Sequence, residues 1–304
     1  MAISRHQLVK ELEPGLNALF GLEYKRYDNQ HAEIYTNETS DRAFEEEVML
    51  SGFGNASVKS EGSGVAFDNA QESYSARYTH ETVALAFAIT EEAIEDNLYD
   101  RISSRYTKAL ARSMSNAKQV KAVTPLIDGL PSTDGFDSGD GVSLFNTAHT
   151  TVSGTNVKNT LTTQADLNET SLEQALIDIA AMTDERGLRV AARGMKMIIP
   201  SANQFTAERL MKSPGRTGTA DNDINAVASM GMIPQGYRVN NFLTDTDSWY
   251  IITDVPNGMK MFQRAALKTA MEGDFDTGNV RYKARERYSF GVSDFRGIFG
   301  VEGA

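Results

Sequence analysis

The residues able to do chemistry are few, and their spacing assembles no familiar centre. The 304-residue chain has no cysteine and four histidines. That excludes thiol nucleophiles, disulfide frameworks and thiolate-bound zinc or iron–sulfur sites. Three aspartate pairs stand two residues apart: Asp221 with Asp223, Asp245 with Asp247, and Asp274 with Asp276. Each could reach a cation, but each lies among turn-forming residues, where Asp serves its own backbone. His149 is the one histidine in a dense motif, Phe145-Asn146-Thr147-Ala148-His149, and a structural role outweighs a catalytic one there. No Gly-x-Ser-x-Gly elbow, Gly-Lys-Ser/Thr phosphate loop or His-Glu-x-x-His helix occurs, and Gly139-Asp140-Gly141 lacks the third glycine of a dinucleotide fingerprint. No metal or other cofactor is expected, and a conventional enzyme is unsupported.

Charge is more informative. The formal net charge is −11, which argues against a protein that coats nucleic acid by bulk charge. Against that acidic average stand local patterns of both signs. Glu45, Glu46 and Glu47 make an acidic run. Arg281, Lys283, Arg285 and Arg287 alternate through a segment of period two, so they share a strand face and want acidic partners. Arg101, Arg105, Lys108 and Arg112, at spacings of four, three and four, share one helix face. That face is either turned toward phosphate or an acidic neighbour, or simply solvated.

The elements that must carry these groups follow from periodicity. Residues 1–36 read as an arm, since Leu12, Leu16, Leu19 and Phe20 give only a short helical stripe. Residues 37–89 read as a long hairpin with glycines at 52, 54, 62 and 64 near its tip. Ser73–Ile89 alternates as one strand that would reach about 55 Å, with a change of phase marking a bend or bulge. Thr90 should cap a helix of about 30 residues ending near Pro125, its acids (Glu91 to Asp100) preceding its bases. Ile94, Leu98, Ile102, Tyr106, Leu110 and Met114 stand four apart, which predicts a stripe winding around that helix.

Residues 126–170 are loop-like, with Leu144-Phe145 as the apolar anchor. Thr170-x-x-Glu173 predicts a capped helix stopped by Gly187, and Ser201-x-x-Gln204 a second through Phe205 and Leu210. Met195–Ile199, Arg238–Leu243, Trp249–Thr253 and Val280–Phe290 are predicted strands. The class is α+β. No apolar run is long enough to cross a membrane, and no secretory signal pattern opens the chain.

This succession resembles the Hong Kong 97-type phage capsid fold: N-terminal arm, extended E-loop hairpin, peripheral domain with spine helix, and axial αβ domain. The wording is closer still to the Mu-type major head subunit family. The matching stretches are LFNTAHTT (144–151), LTTQADLNETSLEQALIDIAAMTDERG (161–187) and MIIPSANQFTAERLMKS (197–213). They continue as TADNDINAVASMGMIPQGYRVNNFLTDTDSWYIITDVPNGMKMF (219–262) and EGDFDTGNVRYKARERYSFGVSDFRGIFG (272–300).

The resemblance implies an arm at 1–36, an E-loop at 37–89, a peripheral domain at 90–125 and 256–290, and an axial domain at 126–255 and 291–304. It implies a major capsid protein of the virion, assembling in the host cytoplasm into hexamers and pentamers of an icosahedral head. That head would enclose double-stranded DNA without sequence recognition. The chain opens directly at the arm, so a separate scaffold protein is expected, with a portal and decoration proteins as further partners. Glu45, Glu46, Glu47, Arg281, Lys283, Arg285 and Arg287 become intersubunit candidates, and Arg101, Arg105, Lys108 and Arg112 inner-face candidates. In the namesake of the fold a hairpin lysine joins an asparagine of a neighbour. Lys59 is the sole hairpin lysine, and no partner asparagine or acid can be matched. Two rival readings are a non-viral nanocompartment shell of the same fold and a carboxylate-based hydrolase.

Overall fold

The computed structural model describes residues 5–90, 92, 99–133, 135–216, 223–274 and 278–304; the side chains of 5–13 and 99–102 lie outside that description. The chain builds two four-stranded sheets. The first takes β1 (Thr36–Thr39), β4 (Glu81–Ile89), β10 (Met259–Gly273) and β11 (Val280–Val292) in the order β1-β10-β11-β4. Helices α1 (Arg5–Arg26) and α2 (Tyr99–Asp128) cover one of its faces. The second has the order β12-β9-β7-β8, from β7 (Gly194–Ile199), β8 (Tyr237–Val239), β9 (Trp249–Thr253) and β12 (Ile298–Val301). Helix α3 (Glu169–Ala181) packs on it, with α4 (Gln204–Lys212) and the short α5 (Ala226–Met230) nearby. A two-residue pair, β5 (His149–Thr150) with β6 (Asn156–Val157), ties the long connection between the sheets.

The period-two reading of β11 holds. Tyr282, Ala284, Glu286 and Tyr288 are buried, while Arg281, Lys283 and Arg285 are exposed and Arg287 is half-buried. The winding stripe on α2 does not hold. Its buried positions include Ser103, Thr107, Leu110, Ala111, Met114, Ser115, Lys118, Gln119, Ala122, Val123 and Leu126, and Tyr106 is exposed. Steps of three and four give a straight stripe, and the signal was hidden because half of it is small or polar. Ile94 and Leu98 lie outside the described residues, as does the Ile102 side chain. The helix runs through Pro125 to Asp128.

The single strand expected over Ser73–Ile89 is two strands in different sheets. β3 (Glu72–Thr79) pairs with β2 (Phe44–Leu50) to form a hairpin, whereas β4 lies along β11. The change of phase falls at His80, whose Nδ1 is 2.9 Å from Ser289 Oγ and whose Nε2 is 2.9 Å from Ser40 Oγ. The caps of the second-sheet helices are each displaced by two residues, to Asn168 from the expected Thr170 and to Asn203 from the expected Ser201. Asn168 and Ser171 form the capping box of α3, which ends at Ala181 rather than at Gly187. In α4, Leu210 is buried but Phe205 is exposed.

Within the loop-rich connection Leu144 and Phe145 are fully buried, as expected. Asn159 holds this stretch: its amide donates to the Leu144 carbonyl at 2.8 Å and the Phe295 carbonyl at 3.1 Å, and its Oδ1 accepts from the Asn146 N–H at 2.9 Å. His149 is structural. It is fully buried and stacked on Phe295 with centroids 3.8 Å apart, with Nδ1 2.7 Å from Asp140 and Nε2 3.1 Å from Asn159. The Asp247 N–H donates to Asp245 Oδ1 at 3.1 Å, the turn role expected of that pair. Asp221 and Asp276 lie outside the described residues.

The arm joins this body through His31, which is buried against the spine. Its N–H donates to Gln119 Oε1 at 2.9 Å. Burial, and then the Lys118 ammonium, push its imidazole from 6.5 down to about 4, with Gln119 acting in the opposite sense. The folded chain therefore keeps His31 neutral where the unfolded chain takes up a proton. Stability from this group is complete above pH 6.5 and is lost as pH falls toward 4. The slope is at most about 1.4 kcal/mol per pH unit, or up to about 3 kcal/mol over the window. Urea unfolding of His31→Gln should show a correspondingly flatter pH dependence between 4 and 6.5; an unchanged profile would remove His31 from the linkage.

Candidate assembly surfaces

The hairpin is firmly rooted and its tip is bare. At the root Tyr78 packs on Phe262, with centroids 4.8 Å apart, and its ring fills the space beside Gly291, where a Cβ would lie 2.6 Å away. Glu47 receives the Lys260 ammonium at 2.5 Å and the Ser293 hydroxyl; Glu38 lies 3.1 Å from the same ammonium. Burial opposes that charge, but the two carboxylates outweigh it and raise the Lys260 pKa. A second attachment runs through Ser73, which donates to Glu185 at 3.0 Å; Glu185 in turn pairs with the buried Arg296 at 2.8 Å. Beyond Ser51 and Gln71 the strands no longer form a ladder, and Asp68 is the last tie: it accepts from the Gly54 N–H at 2.7 Å and pairs with Arg186 of the body at 2.6 Å. Val58 and Phe67 are 97% and 96% exposed, and Gly52 and Gly62 take positive φ of 63° and 79°. Lys59 is exposed on this tip.

The acidic run is not one strip. Alternation along β2 turns Glu45 and Glu47 toward the body and Glu46 outward. Glu45 accepts from Ser40 at 2.6 Å and lies 3.9 Å from Arg42, Glu47 is engaged as described, and exposed Glu46 is 3.8 Å from Arg77. Adjacent residues on a strand cannot share a face, so Glu46 is parted from Glu45 and Glu47 and the three acids make no single strip.

The basic strip is one surface. Arg281, Lys283, Arg285 and Arg287 point away from the helices, flanked on β4 by Ala88, Ala86, Ala84 and Thr82 and on β10 by Glu272, Ala270, Lys268 and Ala265. Arg281 pairs with Asp274 within the chain. Lys283, Arg285 and Arg287 form no ion pair among the described residues. On the spine, Arg105, Lys108 and Arg112 are exposed, while the Arg101 side chain lies outside the described residues.

On the opposite face of β11 lies a pair that sequence reasoning missed. Lys118 Nζ is 3.2 Å from Glu286 Oε2, and the two side chains are 10% and 1% exposed. The Tyr24 hydroxyl of α1 lies 3.4 Å from the other Glu286 oxygen, so arm, spine and sheet meet on one carboxylate. Burial raises the Glu286 pKa despite Lys118 and Tyr24. The available signal was an acid on the apolar phase of an alternating strand, which demands a buried partner.

Two sheets, a helical arm and spine, and a bare-tipped hairpin define a Hong Kong 97-type capsid fold. The chain belongs to the phage capsid protein family, whose model matches residues 73–301. Similar solved structures include the procapsid of bacteriophage JBD30, at 13% identity, 99% of this chain, 77% of that one and a TM-score of 0.54. The capsid of an empty GTA particle matches at 14%, 90%, 89% and 0.54. The capsid of Myoviridae phage XM1 matches at 12%, 89%, 89% and 0.53. No curated protein matches the chain in sequence. The protein is a shell-forming subunit of the virion capsid.

The Lys118–Glu286 pair makes a measurable prediction. Glu286→Gln should cost about 3–5 kcal/mol in urea unfolding, because it strands a buried ammonium. The double change Lys118→Met with Glu286→Leu should recover most of that loss. Equal losses in the single and double variants would show that the two charges are not coupled.

Proposed function

We propose that the chain is the major head subunit of a Mu-type phage, closing as hexamers and pentamers into an icosahedral shell around double-stranded DNA. The observation that carries this reading is the hairpin: anchored by Glu47 and Tyr78 at its root, it holds residues 51–71 outward with apolar side chains that find no core in their own chain. A subunit that must overlap a neighbour needs such an element. The long stretches between 144 and 300 that resemble Mu-type head subunits support the finer assignment. Arm, peripheral and axial parts are assigned at the boundaries read from the sequence, but the hairpin is narrower than 37–89: only β2 and β3 pair in it, while β1 and β4 belong to the sheet of β10 and β11.

Assembly takes place in the host cytoplasm with a separate scaffold and a portal, and decoration proteins bind outside. The basic strip, with Lys283 and Arg285 in no ion pair among the described residues, meets acidic surface on an adjacent subunit. On the hairpin itself Glu46 remains exposed for that role, while Glu45 and Glu47 hold the root. Packaged DNA is the other partner open to the strip and to Arg105, Lys108 and Arg112. Lys59, exposed on the hairpin tip, is the cross-link candidate.

Electron microscopy of the purified protein, alone and with its scaffold, should show capsomers or closed shells. Monomers under every condition would overturn the reading. Deletion of residues 51–65 should leave circular dichroism unchanged and abolish closed shells; an unfolded deletion variant would place the tip in the core instead. Boiled shells that migrate as monomers on denaturing gels would dismiss a Lys59 bond.

A further inference from the structure

At the foot of the hairpin the outward face of the first sheet changes character. Above that line the hairpin covers it, with Tyr78 on Phe262 and Glu47 on Lys260. Below it the face is open. Arg264 and Arg287 stand on the line: Ala265 pairs with Arg287 across β10 and β11, between two irregularities in that ladder. Both arginines are half-buried, and the Nε of each is shielded from solvent with no hydrogen-bond partner among the described residues. Neither forms an ion pair among those residues. His80 lies beside them, held by Ser289 and Ser40. Its pKa is lowered first by burial and then by Arg287, with Arg264 adding to the effect and Glu45 opposing it. Glu45, the acid nearest this cluster, is engaged by Ser40 and Arg42.

A buried N–H without an acceptor is destabilising, and more so when it is charged. Two such groups beside a third basic side chain also repel one another. The fold of one subunit therefore leaves a deficit that an anion would repair.

We propose that Arg264 and Arg287 form an oxyanion-binding pair that receives an Asp or Glu carboxylate from a second copy of this chain. The proposal rests on the shell-forming reading. A guanidinium offers a planar fork that a carboxylate matches bidentately. Both arginines are half-buried at the foot of the hairpin, which suits a single carboxylate side chain, whereas a phosphate backbone is tracked by exposed cations such as Lys283 and Arg285. A second copy brings 41 acidic residues, so a carboxylate is the anion most available at any contact. The half-buried pair keys the neighbour's position, while the open strip beyond it contributes attraction that salt screens over about 8 Å.

The test uses the full chain. Titrating the wild-type subunit with succinate at constant ionic strength, and following the His80 imidazole by NMR, should show a saturable rise in its pKa as the neighbouring cations are neutralised. Arg264→Gln with Arg287→Gln should start from a higher His80 pKa and show no response. By sedimentation and microscopy the same variant should lose at least about tenfold in shell yield, the equivalent of one charged contact. Arg264→Lys with Arg287→Lys, which keeps the charge without the fork, should recover part of it, with circular dichroism confirming that each variant is folded. No succinate response in the wild type, or an unchanged shell yield in the Gln variant, would overturn the proposal. Loss of short-duplex DNA binding in that variant with normal shells would make the ligand a phosphate and overturn it too. A wild type that responds to succinate but never forms shells would instead sink the shell reading, and with it the partner, leaving the anion site standing.

Discussion

Strand β11 separates the two chemistries of this subunit, and the rest of the chain is arranged around that separation. Successive side chains on a strand face opposite ways, so Val280–Val292 is two sequences interleaved. One, Tyr282-Ala284-Glu286-Tyr288, is buried under the arm and spine; the other, Arg281-Lys283-Arg285, stands in water. A slip of one residue would bury three cations and expose two tyrosines. The register is held on both sides, by β10 along nearly the whole strand and by β4 from Val280 to Tyr288.

The Lys118–Glu286 contact enforces the same choice from the dry side. A buried ion pair adds less to stability than an apolar pair of equal volume would, because both charges lose their water. What it does is penalise any packing that separates them. Since Tyr24 reaches the same carboxylate, the penalty extends to the arm. The spine is fixed again further along, where Tyr35 and Tyr250 donate to the carbonyls of Ala122 and Leu126 at 2.7 and 3.2 Å. Arm, spine and both sheets thus share polar constraints laid over separate apolar clusters.

What the sequence revealed and what it concealed divide along physical lines. The basic strip, the loop-rich connection and the buried Leu144-Phe145 were legible because they depend on local periodicity or composition. The split at His80 was half legible: the phase change was visible, but which sheet each half joins depends on pairing with β2 and β11, far away in sequence. The acidic run misled because proximity in sequence is the opposite of a shared face on a strand. The spine's stripe misled because Ser103, Thr107 and Ser115 bury as readily as leucine when backbones approach closely. Arg264 carried no signal at all. Its setting arises from the irregular ladder between Gln263 and Lys268, which no periodicity announces.

These features together describe a fold that completes itself only in part. In the interior the Tyr35 and Tyr250 hydroxyls, Asn159 and the Arg296–Glu185 pair satisfy polar groups where burial would otherwise cost most. The outward side is left open in three ways: apolar side chains on the hairpin tip, Lys283, Arg285 and Arg287 on β11 with no ion pair among the described residues, and two shielded guanidinium Nε atoms at the hairpin root. Each would be a liability in a monomer, since exposed apolar surface invites aggregation and unpaired charge repels. In a closed lattice every copy meets the same neighbours, so each deficit can be answered by the same complementary surface on the next copy. The firm root of the hairpin then matters as much as its bare tip. An element that reaches across to a neighbour transmits position only if its own base cannot move, and the Glu47–Lys260–Glu38 cluster with Tyr78 on Gly291 supplies that fixed base.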